Sequence, residues 1–405
     1  MKILLVIASL APRYGGPSKA CLDLCREMAR RGERVAIYTT NIDGNGELNV
    51  PLGLPVCRDG VEIRYFPVQP PRYYKFSLPL ARALRTAIPQ CDLVHIHSLY
   101  LFPSTAAAHY CRHYGIPYLI RPHGTLDPYL YGRHRRRKWI YERLFEWRNL
   151  NKAAAIHFTT MEEQELTRPL GLKSPGVVVP IGMNLQDYDD APPAGTFRAV
   201  HPEMHGQKII LFLGRLNFKK GLDLLAKAFG EVGRKRDDVH LVVAGPDDDG
   251  YGVQVRRWLK AEGVLEKSTF TGMLLGADKL AALRDADVFV LPSYTENFGI
   301  AVVESMAMGL PVVISNKVNI WREVVQAHGG LVVNCDVQEV GQALLTLLQA
   351  PALGKEMGKH GRQLVEERFT WEVVGEQMVQ VDRQILSQRQ LLTEERQTSG
   401  SWGST

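Results

Sequence analysis

The chain has 405 residues, 45% of them hydrophobic and 23% charged, with a formal net charge of +6; this is too long for one core and ordinary for a soluble globular protein, so two domains are expected. No apolar run reaches the ~18 residues of a membrane-spanning helix. Six cysteines without paired spacing (Cys21, Cys25, Cys57, Cys91, Cys111 and Cys335) argue against a disulfide framework and fit a reducing cytoplasm.

The N-terminal "MKILLVIASLAPRYGG" has an apolar run of only about eight residues with no cleavage pattern after it, and reads as a buried first strand rather than a secretion signal. Gly15 and Gly16 end the loop after that strand and precede a helix at about 17–31. Glycines there let the backbone approach a phosphate or sugar closely, and they serve a plain tight turn equally well. Cys21 and Cys25 share one face of this helix, which suits packing. Further strands covered on both faces are expected at "RVAIYTT", "DLVHIHS", "PYLIRPHG", "AAIHFTT" and "GVVVPIG". His95 and His97 alternate in "HIHS" and share a face, an arrangement a metal site can use. No third ligand is evident, so packing is expected for His95 and cleft lining for His97. His123 lies in "RPHG" just past a strand end, flanked by Arg121 and Asp127; a lone histidine is more often structural than functional.

Charge is uneven. Residues 1–190 hold 25 Lys/Arg against 17 Asp/Glu, the remainder 24 against 26, so the two halves are expected to meet different partners. No finger, recognition-helix or RNA-module signature accompanies the basic half, and nucleic acid is not expected. The most distinctive stretch is "YGRHRRRKWIYERLFEWRNL" (131–150), with Arg133, His134, Arg135, Arg136, Arg137 and Lys138 followed by Trp139, Ile140, Leu144, Phe145 and Trp147. Cations with aromatics on a helix suit an anionic membrane surface. A solvated helix whose apolar side packs on its own sheet is the plainer account, and the two are compatible.

The pattern breaks at "LQDYDDAPPAGTFRAVHPEMHG" (185–206), which is polar with three prolines and two glycines and reads as a linker. Strand–helix alternation restarts with "KIILFLGRL", "VHLVVAGP", "STFTGML", "ADVFVLPS" and "LPVVIS". Two doubly wound parallel-sheet domains follow, α/β throughout, with ligands expected at the carboxyl ends of the strands and a site in the cleft between domains. The expected bounds are 1–190, a linker at 191–206, a second domain at 207–370, a C-terminal helix at 371–390 returning to the first domain, and a disordered tail at 391–405.

In "FLGRLNFKKGLDLLAKAF" (212–229) a strand runs through a short loop into a helix. Arg215 and Lys220 lie on that loop, where helix N–H groups and dipole add to their charge; they form an anion site, or else two solvated cations. In "ADVFVLPSYTENFGIAVVESMAMGLP" a strand ends at Ser293, Glu296 sits in the loop, and Glu304 lies within the next helix. Gly299 bares the N–H groups of Phe298, Gly299 and Ile300 to a phosphate, while each carboxylate can accept from paired sugar hydroxyls. A surface ion pair for Glu304 and a plain loop acid at Glu296 are the alternatives. "GPDDDG" (245–250) reads as a turn rather than a metal loop.

"PSYTENFGIAVVESMAMGLPVV", "GRLNFKKG", "LAPRYGGPSKACLDLCREMARRGERVAIYT" and "IRPHGTLDP", in consistent order over about residues 1–380, resemble the family 4 retaining glycosyltransferases of the GT-B fold. The resemblance implies that Glu304 binds the ribose hydroxyls of a nucleoside diphosphate sugar. It gives Glu296 the hydroxyls of the transferred sugar, and Arg215 and Lys220 the diphosphate. The amides of Phe298, Gly299 and Ile300 would meet the sugar and distal phosphate, Met273 and Leu274 the edge of the base. Gly15 and Gly16 would face the donor phosphate and acceptor, and His123 the transferred sugar. The sequence departs from the family at "PIGMN" (180–184), where Pro-Asn-Gly-hydrophobic-Asp is commoner, so no polar role is expected for that loop.

The implied reaction is hexose transfer with retention to a hydroxyl acceptor. It uses no metal and no cofactor beyond the donor, and the departing phosphate takes the acceptor proton. The basic stretch suggests a lipid-linked saccharide acceptor, in exopolysaccharide or O-antigen assembly at the inner face of the cell membrane. Two other readings stay open: a sugar-nucleotide epimerase of the same fold, and a non-catalytic sugar-nucleotide-binding or membrane-adaptor protein. The intact Arg215, Lys220, Glu296 and Glu304 weigh against both.

Overall fold

The computed structural model describes residues 1–131 and 141–400. They form two units, Met1–Gly182 together with the segment from Trp371 onward, and Met183–Thr370.

The strands of the first unit are β1 (Lys2–Ser9), β2 (Arg34–Thr40), β3 (Ile42–Asp43), β4 (Gly46–Glu47), β5 (Pro55–Arg58), β6 (Val61–Phe66), β7 (Leu93–His97), β8 (Tyr118–Arg121), β9 (Ala155–Phe158) and β10 (Gly176–Val178). Apart from the small β3–β4 pair they make one sheet, ordered β10-β9-β8-β7-β1-β2-β6-β5. Only β5 runs antiparallel to its neighbour. Every residue of β1 but Lys2 is buried, as a strand covered by helices on both faces requires. The helix Gly16–Arg30 buries Ala20, Cys21, Leu24, Cys25 and Met28 at helical spacing. Burial and the neighbouring Cys21 raise the Cys25 thiol well above its ordinary range, so this pair is core packing.

The C-terminal helix Trp371–Gly400 completes the same core with Trp371, Val374, Met378 and Val379. Arg31 ties it down through an ion pair with Glu376 and a 2.7 Å bond to the Glu372 carbonyl. His95 meets Asp382 of this helix at 2.9 Å, both side chains buried. The helix runs past residue 390, where the sequence suggests a frayed tail. Nothing from Leu391 to Ser399 breaks a helix, since the stretch holds no proline and no glycine.

The second unit has β11 (Lys208–Leu213), β12 (Val239–Ala244), β13 (Ser268–Gly272), β14 (Val288–Leu291), β15 (Val312–Ser315) and β16 (Gly330–Val333), all parallel, in the order β13-β12-β11-β14-β15-β16. This is the doubly wound order, with its reversal point between β11 and β14. Residues 191–206 belong to this unit and are packed into it. Phe197 and Met204 are buried. Asp285 accepts from the N–H groups of Gly195 at 2.6 Å and Arg198 at 3.0 Å. Arg198 in turn donates to the carbonyls of Met204 and Gln207, both at 2.8 Å.

Candidate functional site

In a doubly wound sheet the helices leave opposite faces at the reversal point, and the flanking loops part to leave a crevice at the carboxyl edge. In the second unit the loops after β11 and β14 flank that point. After β11, Asn217 Oδ1 accepts from Lys219 N at 3.0 Å and starts the single turn Phe218–Lys220. Gly221 then takes a left-handed φ of +64° into the helix Leu222–Lys235. A Cβ at Gly221 would stand 2.0 Å from the Pro292 carbonyl oxygen, so only glycine lets the two loops close. Tyr294 fastens them, its N–H donating to the Lys219 carbonyl and its hydroxyl to Asp223, both at 2.7 Å.

This packing brings the Lys220 ammonium onto the Glu296 carboxylate in a direct ion pair. The two side chains are 17% and 21% exposed, partly withdrawn from water and still reachable. The Glu296 backbone is fixed by bonds to Lys317 at 2.9 Å and Asn319 at 3.0 Å. Beyond it Gly299, at φ +82°, caps the helix Ile300–Ala307. Among the described residues nothing accepts from the N–H groups of Phe298, Gly299 and Ile300. The Phe298 ring itself is core, 5.5 Å edge-on from Phe369, so its backbone alone can serve a ligand. Glu304 pairs with Lys279 at 2.6 Å. It also lies beside the buried Tyr188 hydroxyl, whose pKa is raised by burial and then by the Glu304 charge. Arg215 is more open, 45% exposed, and pairs with Asp248 at 2.9 Å. Met273 is exposed and Leu274 half-buried at the end of β13.

The carboxyl edge of the first unit carries the other candidates. Its order reverses between β1 and β7. Gly15, at φ +69° and ψ −136°, caps the helix that begins at Gly16 after β1. His97 ends β7, fully buried, and its Nδ1 lies 3.1 Å from Nε2 of His123 beyond β8. Burial lowers both histidines well below the usual range, and the nearby Arg121 charge lowers them further. Both are therefore neutral near pH 7, with one proton between the facing nitrogens, so the tautomer of one dictates that of the other. Arg121 is 3% exposed, with Nε and Nη2 unpartnered. His95 and His97 thus answer to different groups, Asp382 and His123, and among the described residues no three His, Cys, Asp or Glu side chains are grouped to hold a metal.

The sequence reading did not pick out Glu163, Lys279 or Tyr188. Glu163 had a local signal, since Thr160 and Glu163 form the T-x-x-E of a capping box: Thr160 Oγ1 accepts from Glu163 N at 3.0 Å. Lys279 and Tyr188 had none, as both meet Glu304 only through the fold.

Of the basic stretch, 132–140 lies outside the described residues. The part that follows buries two acids, Glu142 and Glu146, in a π-helical turn. Tyr100 donates to Glu146 through its N–H at 2.8 Å and to Glu142 through its hydroxyl at 2.7 Å. Burial, with the Glu142 charge adding to it, pushes Glu146 up to about 7. A raised folded-state pKa means stability is full below the unfolded value and is lost as pH rises through 7. Glu146→Gln is therefore expected to gain little at pH 5 and to be more stable than the parent by on the order of 2–3 kcal/mol at pH 8. Paired melting curves check this; an advantage that does not grow between those pH values contradicts it.

Residues 14–187 match the family described as Glycosyltransferase Family 4, and residues 194–364 match Glycosyl transferases group 1. The phosphatidyl-myo-inositol mannosyltransferase of Mycobacterium leprae is 35% identical over 214 residues, 52% of this chain, which spans only 54% of that relative. The GDP-mannose:cellobiosyl-diphosphopolyprenol alpha-mannosyltransferase of Xanthomonas oryzae pv. oryzae is 28% identical over 396 residues, 93% of this chain and 95% of its own. Among solved structures, sucrose-phosphate synthase from Thermosynechococcus elongatus shares the fold, with a TM-score of 0.77 and 22% identity over 96% of this chain and 100% of its own. Two parallel Rossmann-like sheets, each carrying its family's match, lead to one assignment: the chain belongs to the glycosyltransferases of the GT-B fold, with a family 4 domain followed by a group 1 domain.

Proposed function

We infer that this glycosyltransferase moves a hexose from a nucleoside diphosphate sugar to a hydroxyl acceptor, with retention and without a metal. The observation that carries the reading is the Lys220–Glu296 pair beside the open N–H groups of Phe298, Gly299 and Ile300. Cleaving the glycosidic phosphate ester leaves negative charge on the diphosphate. Lys220, Arg215 and the helix N-terminus supply fixed positive charge where it develops. Glu304 accepts from the ribose hydroxyls, and Glu296 and His123 hold the sugar. The acceptor proton passes to the departing phosphate, so no dedicated base is assigned.

The names of the two relatives support mannose as the sugar and a lipid-linked acceptor; cell-surface polysaccharide synthesis is the setting this reading proposes, and the run of Arg and Lys in the sequence at 133–138 suits an anionic membrane surface. Among the described residues no helix is long and apolar enough to cross a membrane. The test offers GDP-mannose and UDP-glucose with polyprenyl-diphosphate-linked and soluble saccharides, with and without EDTA, and reads the anomeric configuration by NMR. An α-linked product formed equally in EDTA is expected. An inverted product, or activity that EDTA abolishes and Mg²⁺ or Mn²⁺ restores, overturns the retaining or metal-free part. A free epimerised sugar nucleotide favours the epimerase reading.

A further inference from the structure

Glu163 lies on the helix Met161–Thr167 at the end of β9, 4% exposed. In a capping box the glutamate turns back to the N-cap's own N–H. Here it reaches elsewhere. One carboxylate oxygen accepts from Gly124 N at 3.0 Å. The other accepts from Thr159 N at 2.7 Å and Thr159 Oγ1 at 2.9 Å. One buried acid thus staples the turn after β8 to the end of β9. That turn is His123–Gly124, with φ of +53° and +73°. The left-handed region suits the glycine and strains the histidine, and such strain persists only where the surroundings enforce it. Glu163 is also the negative charge that acts on buried Arg121, and the Arg121 charge acts back on Glu163.

We propose that Glu163 is the positioning residue for His123, clamping the turn that aims its imidazole at the sugar. The inference rests on the assignment of His123 to the sugar made above. A second device acts on the same ring. His97, itself sealed from solvent, holds the Nε2 side of His123, so Glu163 sets where the ring sits and His97 sets which nitrogen carries its proton. Gln cannot replace the clamp, because its amide NH₂ would face either Gly124 N or the Thr159 donors, which need an acceptor.

The test compares the full chain with Glu163→Gln, His123→Ala and the double variant, using whichever donor turns over. Glu163→Gln is expected to lower kcat by about 10- to 100-fold while the donor KM moves by less than about threefold. In the His123→Ala background the same change is expected to cost no further activity, because it acts through His123. A merely structural glutamate would cost the same in both backgrounds. ¹⁵N-histidine spectra, in which the parent shows one fixed tautomer for His123 and the Gln variant an averaged one, read the positioning directly. If His123→Ala is inactive and Glu163→Gln keeps kcat within about twofold, the clamp is overturned. If His123→Ala itself keeps full activity, the His123 assignment fails and the clamp with it. Should the Gln variant not fold, Glu163→Asp carries the same comparison. It keeps the charge near Arg121 but is too short to span both strand ends, and parental kcat in it overturns the proposal.

Discussion

Lys220→Ala is expected to lower kcat by about 10²- to 10³-fold, the usual cost of removing one preorganised charge from a site where an anion develops. The environment sets the size of the effect. Lys220 is 17% exposed and paired directly with Glu296, whereas Arg215 is 45% exposed, better screened by solvent, and shares its charge with Asp248. Arg215→Ala should therefore cost markedly less, and more of its loss should appear in KM. The ion pair adds a consequence. Without Lys220 the Glu296 carboxylate loses its partner and, in the proposed site, would face the departing diphosphate, so part of the expected loss is repulsion rather than missing attraction. Removing that charge as well, in Lys220→Ala/Glu296→Gln, should then be less damaging than the two single losses combined, by a coupling of about 1–3 kcal/mol. The measurement is a double-mutant cycle on kcat, with donor affinity from calorimetry. A Lys220→Ala variant with near-parental kcat would remove Lys220 from the diphosphate.

The repeating part of this molecule was legible in its sequence. "KILLVIAS" and "VFVL" are continuous apolar runs, and β1 and β14 are buried along almost their whole length for the same reason. The two loops that carry Lys220 and Glu296 were equally visible, because glycine and charge punctuate strand ends. Their contact was not. It joins residues 76 apart in the chain, and it exists because β14 lies beside β11 while β12 and β13 lie on the other side. That is a property of strand order, which local pattern does not encode. Residues 191–206 misled for a related reason. Their anchors are a lone Phe197, a lone Met204 and bonds to Asp285 and Asp287 nearly ninety positions away, so the segment reads as polar linker although it is packed. Glu163 lies between these cases. Its helix start was readable, but its reach to Gly124, 39 residues back, required β8 and β9 to be neighbours.

Glu304→Gln should act on binding and leave the chemical step almost untouched. The residue sits one turn and a half into the helix Ile300–Ala307, away from the open N–H groups that would meet the reacting phosphate. An acid that holds ribose hydroxyls contributes equally to the ground state and the transition state, so its loss raises KM and spares kcat. Two charged hydrogen bonds reduced to one neutral set correspond to a rise in donor KM of about 10- to 100-fold. The surroundings explain why the carboxylate is so placed. Lys279 at 2.6 Å holds its charge from one side. The Tyr188 hydroxyl, kept protonated by burial and by the Glu304 charge itself, stands at another. Tyr188→Phe should consequently raise KM only a few-fold, because the hydroxyl acts on the donor only through Glu304. A donor with 2′- and 3′-deoxyribose separates this role from a structural one. The parent should discriminate against it strongly, and Glu304→Gln should treat it and the normal donor nearly alike. A Gln variant that lowers kcat at unchanged KM, or that still discriminates between the two donors, moves Glu304 away from the ribose and toward the sugar being transferred.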